Sequence, residues 1–365
     1  MGGVERAVSW NGRRVMAWIP DPLAGLSPNL SPGVIRRTER AAAAVRRADD
    51  HLPVAAEPLA RLLLRAEGVA SSNIEGIRAP LADVVAAELD PVTASGSAAW
   101  VAGNLAAIAE ALAGAQHRKL SVAALHRWHR QLMASSPLSP PMIGAFRRTQ
   151  SWIGGRSPLD AAFVPPPAEE VGRLMADLVA FANDDRLDTV TQAALVHAQF
   201  ETIHPYGDGN GRIGRVLVLW VLARRLAVAT PPPLSTLLVR DPGGYLSGLY
   251  WFRIGEVDRW VGWFAEVVER AGETESEWAE SIAGILDRWS TRTADLRADS
   301  TARSVLGLLP ALPVTNATVV ANRLGVSDRT ARAALADLAD RGILAPFAPT
   351  HRRGGGRPSL WWLAP

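Results

Sequence analysis

His204-Pro205-Tyr206-Gly207-Asp208-Gly209-Asn210-Gly211-Arg212-Ile213-Gly214-Arg215 is the stretch from which the rest of the chain can be read. Before it, Thr191 to Ile203 carries apolar residues at helical spacing, through Ala194, Leu195, Ala198 and Ile203. After it, Ile213 to Leu226 is apolar nearly all round, which predicts a buried helix. Pro205 and the glycines interrupt the periodicity, so the expectation is two helices joined by a loop.

The loop has the composition of an anion site. Gly209 and Gly211 allow backbone conformations in which successive N–H groups converge. The turn opens onto a helix N-terminus, whose unpaired N–H groups and dipole favour negative charge. Arg212 and Arg215 are three residues apart, share a helical face and can fork onto phosphate oxygens. Asp208 offers the hard oxygen that Mg²⁺ takes together with substrate phosphates. His204, at the lip, suits proton removal near neutral pH. Base, metal ligand, anion nest and arginine clamp together point to phosphoryl-type transfer. The bland alternative is a glycine-rich connector with solvated arginines.

The same twelve residues resemble the signature of the Fic (filamentation induced by cAMP) family, HxFx[DE]GNGRxxR, with Tyr206 where that family usually has Phe. The resemblance implies an all-α, Fic-type helical bundle with a β-hairpin flap. It also implies a protein adenylyltransferase that moves AMP from ATP to a Ser, Thr or Tyr hydroxyl and releases pyrophosphate. By position, His204 would deprotonate the hydroxyl and Asp208 would hold Mg²⁺. The ATP contacts would come from Gly209, Asn210, Gly211, Arg212, Ile213, Gly214 and Arg215, with Tyr245 as the aromatic near the adenine. Upstream, Ser71-Ser72-Asn73-Ile74-Glu75-Gly76 fits the family's inhibitory motif [ST]xxxE[GN]. Ser71 and Glu75 would then act together, with Glu75 pairing Arg215 and excluding the γ-phosphate; the plain alternative is a helix C-cap with Glu75 in solvent.

Composition closes several other routes. At 365 residues and 48% hydrophobic content the chain has room for two or three packed domains. Lys119 is its single lysine and follows no glycine loop, which excludes a Walker A site. With no cysteine, disulfides and thiolate metal sites are excluded, as suits a reducing cytoplasm. Without a run of eighteen apolar residues or an apolar signal core, neither a membrane span nor secretion is expected. His197, Glu201 and His204 share a helical face and raise a metal hydrolase as a rival. The HExxH pattern is missing, however, and Glu201-x-x-His204 has no second copy to build a di-iron site. His126 and His129 are read as core-satisfied or partly exposed.

The expected organisation is an N-terminal region with the inhibitory helix (1–90), a catalytic core (91–272), a polar connector helix (273–300) and a small C-terminal domain (301–365). The insert Pro141–Pro167, with short strand-like runs at 149–153 and 162–164, reads as the flap. In it Ser151, Trp152 and Ile153 would align a target strand, and Arg147 would be an anchor. Residues 1–53 read as mixed, with the Pro-rich part extended. From Thr301 onward eight Arg face three Asp, so the basic character sits at the C-terminus. There, Thr318–Leu324 and Asp328–Arg341 have helix-turn-helix spacing, with Ala331, Leu335 and Leu338 inward. The segment resembles a winged helix: Arg329 and Arg332 would face DNA, and Arg352, Arg353 and Arg357 would form the wing. Expected partners are a target protein, ATP, DNA through this domain and a second copy of the chain. The competing functions are a DNA-binding regulator with a nucleotide-sensing core, and removal of AMP or transfer of another nucleotide.

Overall fold

The structure, a computed structural model, describes residues 2–51, 57–92, 94–348 and 360–363. It opens with a hairpin, β1 (Gly3–Trp10) and β2 (Arg13–Pro20), that the sequence reading did not separate from the mixed N-terminus. The signal was present: Asn11 and Gly12 form a two-residue turn with φ of 48° and 76°, the left-handed pair that matches strand twist.

The helical body follows as α1 (Pro32–His51), α2 (Glu57–Ile74), α3 (Leu81–Leu89), α4 (Gly96–Ala115), α5 (Val122–Met133) and α6 (Ala168–Ala182). It continues with α7 (Thr189–Ile203), α8 (Asn210–Leu226), α9 (Ser235–Leu238), α10 (Pro242–Arg253) and α11 (Val257–Arg292). α7 is buried along its whole length, not only on the predicted stripe. Asp188 caps its first turn by accepting from the Thr191 amide at 2.9 Å. Two of its polar side chains donate inside the bundle: Gln199 to the Asp21 carbonyl at 2.9 Å and Thr202 to the Ala198 carbonyl at 2.7 Å. α8 packs beside it, burying Leu217, Leu219 and Trp220. At roughly 1.5–3 kcal/mol for each large apolar side chain, this pair anchors the core. α4 is long and apolar enough by composition to cross a bilayer, against the sequence expectation. Half of its most apolar window is nevertheless buried in the bundle, as in the core helix of a folded domain.

The expected flap hairpin is reduced to a single bridge between Ile153 and Phe163. β2 supports it from the other side, where the Trp18 amide donates to the Val164 carbonyl at 2.9 Å. The polar helix expected from residue 273 is the outer part of α11, a continuous helix of 36 residues and about 54 Å.

The C-terminal unit holds α12 (Thr301–Leu308), β3 (Val314–Thr315), α13 (Ala317–Leu324), α14 (Asp328–Asp340), β4 (Leu344–Phe347) and β5 (Leu360–Leu363). The three strands form an antiparallel sheet in the order β3-β5-β4. Ser327 caps α14 by accepting from the Thr330 amide at 3.1 Å, and Ala331, Leu335 and Leu338 face inward as the spacing predicts. Arg329 and Arg332 are exposed on α14, Arg332 at 3.3 Å from Asp328. The expected wing, with Arg352, Arg353 and Arg357, lies outside the described residues.

Candidate active site

α7 ends at His204, whose left-handed backbone (φ 51°) turns the chain into the loop. Such a conformation costs a non-glycine residue energy and must be held by its surroundings. Arg147 supplies the hold. Its buried guanidinium donates to the carbonyls of His204 at 2.9 Å, Ile203 at 3.3 Å, Thr149 at 3.0 Å and Pro166 at 2.5 Å. The anchor thus clamps the loop rim and the flap root with one side chain, and its partners are all main-chain oxygens.

The loop closes on itself through Asn210. The Tyr206 amide donates to Asn210 Oδ1 at 2.8 Å, and Asn210 Nδ2 donates to the Tyr206 carbonyl at 2.9 Å. Its side-chain amide is therefore engaged in holding the loop's shape. Tyr206 stacks on His129 at 4.0 Å between centroids, with its hydroxyl 3.1 Å from His126 Nδ1. His129 accepts from the Gly144 amide at Nδ1 (2.8 Å), which leaves Nε2 to donate to the Asp208 carbonyl at 3.1 Å. Burial lowers the His129 pKa to about 4, consistent with that neutral tautomer. The His126/His129 pair is a support beneath the loop, which a three-residue spacing on α5 could have signalled.

α8 begins without a capping side chain, at Gly209 in the left-handed region (φ 74°), so its first N–H groups point outward. Arg212 is buried beside them, 3.8 Å from Met133 Sδ and 3.8 Å from Asp208 Oδ1, with Nε unpartnered. A desolvated guanidinium with spare donors at a helix N-terminus is fitted to an anion. Asp208 is exposed and accepts from the Gly209 amide at 2.6 Å. Among the described residues no group of three or more His, Asp or Glu could hold a metal. The Asp208 carboxylate suits Mg²⁺ only if substrate phosphates complete the shell.

Arg215 is buried and fully engaged. Nε donates to Ser71 Oγ, Nη2 to the Ser71 carbonyl and to Glu75 Oε1, each at 2.8 Å. Burial works to raise the Glu75 pKa, but Arg215, helped by Arg212, outweighs it and holds the carboxyl below its usual range. Glu75 Oε1 packs so closely on Gly211 that a side chain there would collide with it. The carboxylate therefore sits over the first turn of α8. Ser72 and Asn104 fix the end of α2, both donating to the Gly68 carbonyl, at 2.8 and 3.1 Å.

Three of the residues expected to contact ATP are enclosed in this structure. Ile213 is wholly buried, and Gly214 packs against the Glu201 carboxyl below the loop. Tyr245 is 5% exposed with its hydroxyl 2.8 Å from His197 Nε2, so it belongs to the wall behind Arg215 rather than to an open base pocket. Burial pushes Glu201 up to about 7, against the pull of Arg215, and one of its oxygens has no partner. The burial of Tyr245 with Leu249 and Phe252 follows their helical spacing, whereas that of Glu201 was not legible from spacing.

His204 is half-buried with Nδ1 unpartnered. Burial and the nearby Arg147 charge lower its pKa to about 4, partly offset by Glu75. The imidazole is neutral at pH 7 and can accept a proton. In the flap, Trp152 meets Trp10 edge-on at 6.2 Å, while Gln150 donates to the Ser151 and Pro165 carbonyls at 3.0 and 2.8 Å. Arg253 of α10 covers the Phe163 ring at 3.8 Å and ties the flap to the core.

Residues 119–222 match the Fic/DOC family, and residues 35–113 match the Fic/DOC family N-terminal region. The protein adenylyltransferase fic-1 of Caenorhabditis briggsae is 27% identical over 154 residues, 41% of this chain and 28% of that protein. The probable protein adenylyltransferase aq_aa38 of Aquifex aeolicus is 41% identical over 63 residues, 17% of this chain and 20% of that protein. The chain thus spans less than a third of the length of these relatives. Among solved structures, a Fic family protein from Desulfovibrio desulfuricans G20 superposes with a TM-score of 0.56 at 21% identity, covering 93% of this chain and 97% of its own. Fic-1 of Caenorhabditis elegans superposes with a TM-score of 0.54 at 21% identity, over 67% and 73% of the two chains.

Proposed function

Because the chain belongs to the Fic/DOC family, we propose that it is a protein adenylyltransferase, transferring AMP from ATP to a hydroxyl of a target protein. The observation that carries this reading is the pairing of a neutral imidazole at the rim, His204, with a buried, donor-rich Arg212 at an uncapped helix start. The neutral imidazole takes the proton of the target hydroxyl. Its oxygen forms a bond to the α-phosphorus as the bond to the β-phosphate oxygen breaks, and pyrophosphate leaves with the electron pair. The first N–H groups of α8 and Arg212 stabilise the charge on the phosphates. Mg²⁺, held by Asp208 and the phosphates, would neutralise charge on the leaving group.

Autoinhibition through Glu75 is part of the same proposal. The carboxylate occupies Arg215 and covers the start of α8, so a triphosphate meets a filled charge partner and a negative group in its path. The test is incubation of the Glu75→Gly variant with ATP labelled at the α- or the γ-phosphate. Label from the α position alone, with a mass increment of about 329 Da on protein, supports adenylylation. Label from the γ position, or none with an intact fold, overturns it.

A second activity is favoured by the exposed Arg329 and Arg332 on the second helix of the helix-turn-helix pair. DNA binding by this unit would lose affinity with rising salt, and substitution of both arginines by Ala would abolish it.

A further inference from the structure

Where the C-terminal unit meets the helical body lies a crevice of about 310 Å³. Leu62 of α2, Ile282, Ile285 and Trp289 of α11, Pro310 and Leu363 form its apolar wall, and Arg288 and Arg292 stand at its edge. The volume suits a small organic molecule. The charge is one-sided. Nearby arginines are neutralised, Arg341 by Asp295 at 2.6 Å and Asp337 at 2.9 Å, and Arg297 by Asp299 at 3.2 Å. Among the described residues no carboxylate pairs with Arg288 or Arg292, and Arg292 donates only to the Gly342 carbonyl, at 3.3 Å. An apolar slot edged by two uncompensated guanidinium groups is complementary to an anion with an apolar body.

The helix that supplies Leu62 ends at Ile74, the residue before Glu75. Three residues beyond Leu62, the buried Arg65 donates to the Ala311 carbonyl of the C-terminal unit at 2.6 Å and to Glu88 at 2.7 Å. Next, Glu67 accepts from the Ser235 amide at 2.7 Å and from its hydroxyl. The last turn of α2 then brings Ser71 to Arg215, and Glu75, in the turn that follows directly, meets the same guanidinium. A packed helix moves as a unit, so a group wedged against Leu62 acts on the whole of α2.

We propose that this crevice is a binding site for a small organic anion with an apolar, ring-sized body, and that its occupancy is transmitted along α2 to the Glu75–Arg215 pair. The regulatory meaning of the second part rests on the autoinhibition reading above; the binding and its transmission do not.

The probe is 8-anilinonaphthalene-1-sulfonate, titrated by fluorescence into the full chain. The expected result is saturable binding at one site, weakened at least tenfold by Ile285→Trp, which fills the slot, and by Arg288→Met with Arg292→Met. N-phenyl-1-naphthylamine, the same rings without the sulfonate, should bind at least tenfold more weakly. Equal affinity across these variants and both probes overturns the site. Transmission is read by hydrogen exchange at residues 70–76: at least a fivefold change on adding the sulfonate to the parent protein, and none in Ile285→Trp. Binding with unchanged exchange overturns the coupling. Both readouts are independent of catalysis, so an inactive Glu75→Gly variant would sink the enzymatic proposal and leave this one standing.

Discussion

Glu75 Oε1 lies 2.8 Å from Arg215 Nη2 and at the same time rests on the α-carbon of Gly211, so one carboxylate covers both a cationic partner and a helix N-terminus. Either contact alone would be an ordinary salt bridge or an ordinary cap. Together they place a negative charge where the site is otherwise built to receive one.

Glu75→Gly should therefore raise AMP incorporation at least tenfold over the parent, measured with α-labelled ATP. Gly211→Ala in the same background should remove the gain, because a methyl group at that position crowds the approach to the first N–H groups of α8 and the Arg215 guanidinium, 3.0 Å away. Equal activity of the single and double variants would refute the placement of the phosphates.

His204→Ala should lower transfer by at least a hundredfold while leaving ATP affinity within about twofold, as expected for a residue that acts only on the reacting hydroxyl. With a His204 pKa near 4, the base stays neutral from about pH 5 upward. The acid limb of kcat/KM should accordingly fall as pH drops through about 4, with no inflection near 6.5. An inflection at 6.5 would mean that the imidazole is solvated in the working enzyme.

Arg147→Ala should cost about 3–5 kcal/mol of stability, since it leaves several buried carbonyls without donors. Arg147→Lys should recover little, because an ammonium cannot span carbonyls that the planar fork reaches at once. Chemical denaturation of both variants decides the point; a fully stable lysine variant would show that charge alone holds the rim.

Glu275 of α11 is buried with neither oxygen hydrogen-bonded, and burial, reinforced by Asp49, pushes its pKa to about 8. The unfolded chain ionises this group above about 4.5 while the folded protein keeps it protonated, so stability drains as pH rises between those values. Glu275→Gln removes the linkage. Its melting temperature relative to the parent should climb by several degrees from pH 5 to pH 8; a constant difference would mean that the carboxyl is not buried neutral.

The loop, its base and its two arginines were legible because their order along the chain is their order in space. The contact of Ser71 and Glu75 with Arg215 was legible for a different reason: the two stand four residues apart, about one turn, so a single partner, Arg215, meets both. What spacing did not convey depends on long-range partners. Arg147 was recognisable as an anchor but not its targets, four carbonyls on segments folded back upon it. The partners of Asn210 and Tyr245, the Tyr206 carbonyl and His197, were likewise not legible. The flap run promised a hairpin, and much of its support comes from β2, a strand more than a hundred residues earlier that the Asn11-Gly12 turn announces.

α11 leaves no natural seam at residue 272. Its inner turns bury Trp260, Phe264 and Val268 in the helical body, and its outer turns carry Trp289 to the C-terminal unit. A cut there would break the helix between the two sets of contacts. A fragment ending at Arg292, where Thr293 ends the helix, would keep α11 and the helical bundle whole but would take Trp289 away from the C-terminal unit.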